Sequence, residues 1–308
     1  MTRILITGAT GQVGQELKHT LQGLGELIVA DRAHLDLAQP ETIPDVLKAI
    51  QPQVIINPAA YTAVDKAETE PEIAHTVNAI APQMLAKQAQ QLNIPLIHIS
   101  TDYVFDGRKN TPYLEEDATQ PLGVYGQTKL LGEERVRQEC DRHIIVRTAW
   151  VYSAYGKGNF VKTMLRLAKE REELRVVADQ LGTPTWAAEL AKAIAQLLPQ
   201  VLTPDSQQPA LQGIYHYTNS GVASWYDFAV AIIEEARQLR FPLQVQQIIP
   251  ITTADYPTPA QRPAYSVLSN QKLSAVLKSP SPHWREGLRQ MLSQLYTQTY
   301  ESTHSFGR

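Results

Sequence analysis

A single cysteine, Cys140, stands among the 308 residues of the chain. One thiol closes no disulfide, so a cross-linked secreted scaffold is excluded and a reducing compartment is the natural setting. There is no excess of either charge: 28 Lys and Arg face 31 Asp and Glu, a formal net charge of -3. Nothing in that balance neutralises a phosphate backbone, so no nucleic-acid partner is expected. No apolar run approaches the roughly 20 residues that cross a bilayer, and no membrane partner is expected either. The run Ile4-Leu5-Ile6 is too short for the apolar core of a signal peptide, which makes the cytoplasm the expected compartment. The eight histidines fall without metal-ligand spacing, and no metal site is read from them. What is present, 43% hydrophobic and 19% charged residues, describes a globular chain. At this length one core nears its practical limit, so a large lobe carrying a smaller one is expected, with a cleft for a ligand.

From residue 3 to about 152, short β-branched runs alternate with helical patterns. Strands are expected at 3–7, 26–30, 53–57, 95–100 and 143–148, and helices at 13–24, 41–49, 72–92 and 126–138. That alternation is the mark of βαβ units, and continuously apolar strands are those covered on both faces. Beyond residue 152 helices are expected at 159–172, 187–201, 224–239 and 284–300. Strands are expected there at 174–177, 214–218 and 243–249, continuing the sheet through part of this half. The fold class is therefore α/β, a Rossmann-type doubly wound parallel sheet with a smaller mixed α/β substrate-binding lobe. The dinucleotide-binding part is placed at 1–151, continued by about 174–221 and 250–265, and the substrate-binding lobe at 152–173, 222–249 and 266–300. A surface loop is read at 203–209, a pocket-edge connection at 250–263 and a frayed tail at 301–308.

The first strand runs directly into Gly8, Gly11 and Gly14, where strand gives way to helix. Glycines at that spacing allow a tight turn and a close approach to a pyrophosphate, which the helix N-terminus then receives. Three glycines also occur in ordinary turns, and the placement after the first strand is what favours a dinucleotide. The second strand ends at Asp31-Arg32, where an acid takes ribose hydroxyls and an arginine takes a 2′-phosphate. Asp31 also fits a solvated strand end. Asp36 and Leu37 follow within reach of an adenine.

The fourth strand ends in Ser100-Thr101-Asp102-Tyr103, and a helix begins near Tyr125. Four-residue spacing puts Tyr125 and Lys129 on one helix face. A phenol of ordinary pKa about 10 exchanges protons poorly at neutral pH, and an adjacent ammonium is expected to lower it. A threonine hydroxyl beside the phenol holds a carbonyl oxygen, so the three residues suit proton transfer to an alcohol oxygen. His98 is read as a satisfied interior histidine, Glu133-Glu134-Arg135 as a solvated helix face, and Trp225, Tyr226 and Phe228 as core.

With the Gly8/Gly11/Gly14 loop, Thr101 and the Tyr125–Lys129 pair, the sequence resembles the extended short-chain dehydrogenase/reductase family. The stretches 63–68 (AVDKAE), 100–107 (STDYVFDG), 147–152 (RTAWVY), 179–185 (DQLGTPT) and 256–263 (YPTPAQRP) carry the likeness over nearly the whole chain. The resemblance implies reduction of the C4 ketone of dTDP-4-dehydro-6-deoxy-L-mannose to dTDP-L-rhamnose with NADPH or NADH. A related nucleotide-sugar reductase or epimerase is one alternative, and the non-catalytic, NADP-binding regulatory subunit of methionine adenosyltransferase is another. By resemblance Gly11, Gln12 and Val13 meet the pyrophosphate, Asp31 the ribose, Asp36 and Leu37 the adenine end. Ala60, Tyr61 and Thr62 line the middle of the cofactor, while Thr101, Asp102 and Trp150 contact the sugar. Tyr125 supplies the proton, and Lys129 holds the nicotinamide ribose and tunes Tyr125. Some members hold magnesium between two subunits with three glutamates. Here Glu16 matches one position, but Ala188 and Arg285 stand at the others, so no structural magnesium is expected and the chain is a monomer or a homodimer.

Overall fold

The computed structural model describes residues 1–203 and 211–301. The loop read at 203–209 and the tail read at 301–308 lie, apart from Thr203 and Glu301, outside the described residues.

Five strands build the sheet in the first half: β1 (Arg3–Ile6), β2 (Glu26–Val29), β3 (Val54–Asn57), β4 (Leu96–Thr101) and β5 (His143–Thr148). A sixth, Gly213–His216, joins from the second half beside β5, and every pairing is parallel. The order is sixth, β5, β4, β3, β1, β2. The chain leaves β1 on one side for β2 and returns on the other for β3, so a crevice opens at the carboxyl ends of β1 and β3.

Strand alternation divides the core in two. Ile4, Ile6, Val54, Ile56, Ile97, Ile99, Ile144 and Val146 face Leu17 and Leu21 of helix α1 (Gln12–Thr20) and its end, and Leu190, Ile194 and Leu197 of helix Ala187–Leu202. Leu5, Ile55, Leu96 and Ile145 face Leu47 of helix Ile43–Ile50, Leu85 and Ala89 of helix Ala81–Leu92, and Val136 of helix Val124–Glu139. The helix expected at 72–92 is interrupted: Pro71–His75 and Ala81–Leu92 flank a π-turn at Thr76–Ile80. Pro82 supplies no N–H to the carbonyl of Asn78, and the ladder widens ahead of it.

A separate core gathers Val161 and Leu165 of helix Phe160–Glu170, Phe228 and Ile232 of helix Trp225–Gln238, and Leu288 and Met291 of helix Trp284–Tyr296. Of the strands expected here, only Gly213–His216 extends the main sheet. Glu173–Val177 instead pairs in parallel with Gln247–Ile251 as a two-stranded sheet of its own. Pro250 is tolerated in the latter because a two-stranded sheet has only edges.

Within the run Glu133-Glu134-Arg135 the expected solvated face holds for Glu134, which is exposed, but not for Glu133. Glu133 is 1% exposed and takes Arg147 of β5, 2% exposed, in a bidentate pair with bonds of 2.7–3.1 Å. The pair ties helix Val124–Glu139 to the sheet. Deleting one partner of such a pair leaves the other charged and buried, at a cost of about 3–5 kcal/mol. Glu133→Gln is accordingly expected to lose about 3 kcal/mol in urea unfolding, and a loss under about 0.5 kcal/mol would contradict the anchoring role.

Candidate active site

The crevice is a cleft of about 940 Å³ that runs from the Gly8–Gly14 loop past the ends of β3, β4 and β5 to Trp150 and Trp225. At one end α1 begins at Gln12 with no side-chain cap and no acidic residue in its first turn. Its free N–H groups and positive dipole end face the cleft, as an anion site requires. A Cβ on Gly14 would lie 2.3 Å from the carbonyl oxygen of Gly8, so only glycine lets the helix start this close to the turn. The residues present therefore fit a dinucleotide.

Gly8, Gly11, Gln12, Val13, Gly14, Asp31, Arg32, Asp36, Leu37, Ala60 and Thr62 all line the cleft. Asp31 accepts from the backbone of Ala33 and His34 and sits 2.7 Å from His34 Nδ1, the contact that most lowers its pKa. Asp36 accepts from the N–H of Ala38, and Leu37 is 5% exposed. Tyr61 is the exception. Its hydroxyl donates to Glu70 and its ring packs on the core, so it does not line the cleft with its neighbours. Its backbone N–H donates to Asn78 Oδ1 at 2.8 Å, which fixes the turn that presents Ala60 and Thr62.

Thr101 ends β4 and pairs in register with Thr148 of β5. Helix Val124–Glu139 crosses this edge, its first N–H donating to Glu68 Oε1 at 2.9 Å. It presents Tyr125 and Lys129 to the cleft beside Thr101. Tyr125 stacks edge-on against Tyr103 at 5.5 Å. Lys129 is 1% exposed and donates to the carbonyl of Ile99 at 2.7 Å. Burial pulls its pKa down to about 8, against the opposing charge of Glu133.

The expected tuning of Tyr125 by Lys129 is corrected by this geometry. The ammonium is turned into the sheet toward Ile99, and burial pushes the phenol up to about 12, with Thr101 lowering it and Asp102 raising it further. A phenol held protonated is placed to give a proton rather than to take one.

At the floor of the cleft, Ser100 Oγ, Asp102 Oδ2 and Thr148 Oγ1 are buried without a hydrogen-bond partner. Unpaired polar atoms lining a cleft are groups awaiting a polar ligand. Asp102 Oδ1 accepts from Thr101 at 3.0 Å. Burial raises its pKa to about 6, and the hydrogen bond from Thr101 opposes it.

At the far end Trp150 takes φ +48°, the left-handed region that a bulky side chain avoids at a cost of order 1–3 kcal/mol. Its indole lies flat on Trp225, with ring centroids 3.4 Å apart. A Cβ on Gly182 would stand 2.5 Å from the indole, so the opposite face needs glycine. Trp225 was expected in the core with Phe228. Phe228 is fully buried, whereas Trp225 lines the cleft. Thr148, Asn159 and Phe160 also line it without having been singled out. None of the 250–263 segment, expected at the pocket edge, lines the cleft; its Arg262 pairs with Asp65 at 2.8 Å, next to cleft-lining Val64. Glu16, the carboxylate that matches a magnesium position, accepts from Ser153 at 2.6 Å, and Glu189, one residue past Ala188, pairs with Lys192 at 2.9 Å. Among the described residues no group of three or more His, Cys, Asp or Glu is placed to hold a metal ion.

A glycine loop at the switch point of a parallel sheet, with Thr, Tyr and Lys gathered at its carboxyl edge, defines a nucleotide-dependent oxidoreductase fold. The family model for the RmlD substrate binding domain matches residues 1–297, and the chain belongs to that family. It is 46% identical over 301 residues to the dTDP-4-dehydrorhamnose reductase of Escherichia coli K12, covering 96% of this chain and 99% of that one. Among solved structures it resembles the dTDP-4-dehydrorhamnose reductase of Bacillus anthracis in complex with NADP, with a TM-score of 0.87 at 38% identity and coverage of 96% and 100%. The fold extends to the UDP-glucose 4-epimerase of Thermus thermophilus, with a TM-score of 0.78 at 19% identity and coverage of 96% and 99%.

The raised pKa of Asp102 has a testable sign. A carboxyl titrating near 6 when folded and near 3.8 when unfolded binds its proton more tightly in the native state. It costs nothing below about pH 3.8, and the cost grows to its full size, about 3 kcal/mol at most, above pH 6. Asp102→Asn is therefore expected to stabilise the ligand-free protein against urea at pH 7.5 and to leave it unchanged at pH 4. Equal effects at the two pH values would contradict the assignment.

Proposed function

We propose that this chain reduces the C4 ketone of dTDP-4-dehydro-6-deoxy-L-mannose to the alcohol of dTDP-L-rhamnose, with NADPH or NADH as reductant. The observation that carries the reading is the meeting of Thr101, Tyr125 and Lys129 in the cleft that opens at the uncapped N-terminus of α1. Relatives of about 45% identity bearing the reductase name support the substrate, and the NADP complex of the Bacillus protein supports the cofactor.

When bound, the reduced cofactor supplies a hydride to the ketone carbon. Gln12 and Val13 would offer N–H groups to its phosphates, joined by Gly14 in place of the expected Gly11, whose N–H donates to the carbonyl of Gly8 at 2.9 Å, and Asp31 and Arg32 would stand at the far ribose. The Thr101 hydroxyl, turned from Asp102 to the substrate, donates to the ketone oxygen and Tyr125 delivers the proton to it, so both stabilise the negative charge that develops there. The edge that the stacked Trp150 and Trp225 rings turn to the cleft supports the sugar, and Asp102 takes its hydroxyls. The partition into a dinucleotide-binding part and a substrate-binding lobe, a monomer or homodimer and a cytoplasmic setting belong to the same proposal. Among the described residues no helix is long and apolar enough to cross a membrane.

Tyr125→Phe keeps the ring and removes the proton. Turnover is expected to fall about 10²- to 10⁴-fold, with NADPH binding nearly unchanged by fluorescence titration. Rates within about threefold of the parent would remove Tyr125 from the reaction.

Trp150→Ala removes the aromatic platform. Calorimetry is expected to show sugar-nucleotide binding weakened more than cofactor binding. An equal loss for both ligands would make Trp150 a packing residue.

A further inference from the structure

Beneath the cleft a line of buried polar side chains crosses three adjacent strands. Thr7 Oγ1, just beyond β1, donates to Asn57 Oδ1 of β3 at 2.6 Å. Asn57 Nδ2 lies 3.0 Å from Nδ1 of His98 on β4, and His98 Nε2 lies 3.5 Å from Lys129 Nζ. All four residues are at most 1% exposed. Four polar groups in the most apolar part of the sheet cost stability unless each finds a partner, and the line ends on a residue of the reaction site.

The donors and acceptors along this line are coupled. With Asn57 Nδ2 toward His98, the amide N–H points at Nδ1. The imidazole proton then sits on Nε2, where it confronts the Lys129 ammonium, donor against donor. Turning the amide over exchanges oxygen and nitrogen without moving its shape. Nδ1–H then donates to Asn57, the amide N–H donates to Thr7, and Nε2 is left bare to accept from Lys129. This arrangement pairs Asn57, His98 and a charged Lys129 with complementary partners, and it turns the Thr7 hydroxyl from donor to acceptor. The contact of 3.5 Å is at the long end of the hydrogen-bond range. The other ionisable groups facing Lys129 are Tyr125 and Glu133 on its own helix, Asp102 beyond β4, and Arg147 of β5, whose charge is spent on Glu133.

We propose that His98 is a positioning residue for the reduction: its bare Nε2 accepts the Lys129 ammonium, and Asn57 and Thr7 hold the imidazole in the tautomer that allows this. With the carbonyl of Ile99, His98 completes a two-acceptor seat that fixes the lysine beneath Tyr125. Burial and the Lys129 charge both keep the imidazole neutral.

The inference about turnover rests on the proposed reduction, whereas the tautomer does not, so the two fail separately. Nitrogen-15 NMR of His98 in the full chain below pH 8 is expected to show the proton on Nδ1, and a proton on Nε2 overturns the seat. His98→Asn keeps a partner for Asn57 but is too short for Lys129. His98→Gln carries an amide to the place of Nε2. His98→Asn is expected to lower kcat roughly ten- to hundredfold, the range for a lost hydrogen bond to a charged group, with KM for the sugar nucleotide nearly unchanged. His98→Gln is expected to recover most of that loss. Parental kcat in His98→Asn, or an equal fall in both variants, overturns the positioning role. If neither variant folds, the tautomer in the parent protein decides. A parent protein that reduces no keto sugar contradicts the proposed function and leaves the tautomer result standing.

Discussion

A buried lysine is the constraint on which the arrangement turns. Lys129 is 1% exposed, and an ammonium removed from water must recover its hydration from fixed acceptors. The carbonyl of Ile99 is one, and it is available because β4 ends two residues later and the helix Val124–Glu139 lies across that end. The helix is held there independently by Glu68 at its first turn and by the Glu133–Arg147 pair further along. Given those two ties, Tyr125 has one place to stand, one turn before Lys129 and beside Thr101. The reaction site is thus a consequence of docking one helix on one sheet edge.

Electrostatics then assigns directions. Burial raises Tyr125 and Asp102 and lowers Lys129, and in each case the low-dielectric cleft acts against the charged form. A phenol that keeps its proton is the right acid for a reduction, in which the oxygen gains negative charge as hydride arrives. Asp102, near 6, and Lys129, near 8, are site groups whose charge changes across ordinary assay conditions. At the opposite end the cleft is walled by Trp150 and Trp225, stacked face to face, where an apolar sugar face finds area without a charge.

How far the sequence reveals this depends on distance along the chain. Gly8, Gly11 and Gly14, or Tyr125 and Lys129, are local patterns whose spacing fixes their geometry, and the structure brings each set to the cleft. The alternating faces of β1 and β3 are legible for the same reason. Glu133 reads as a solvated carboxylate because its partner, Arg147, lies on a different element. Trp225 reads as core because Trp150 meets it only after the two halves fold together. Tyr61 stands between two cleft-lining residues, yet its neighbour Glu70 draws the hydroxyl away. The spacing of Tyr125 and Lys129 reveals that they are close, but not that the ammonium turns toward Ile99. That choice belongs to the backbone of β4.

The central claim is that a hydride stays on the sugar. Incubating the protein with the 4-keto sugar nucleotide and cofactor deuterated at the transferable C4 position, then recording NMR of the sugar, tests it directly. One deuterium at C4 of a dTDP-6-deoxyhexose and a stoichiometric amount of oxidised cofactor are expected. A sugar epimerised without deuterium and a cofactor still reduced, or no change in either, would contradict it.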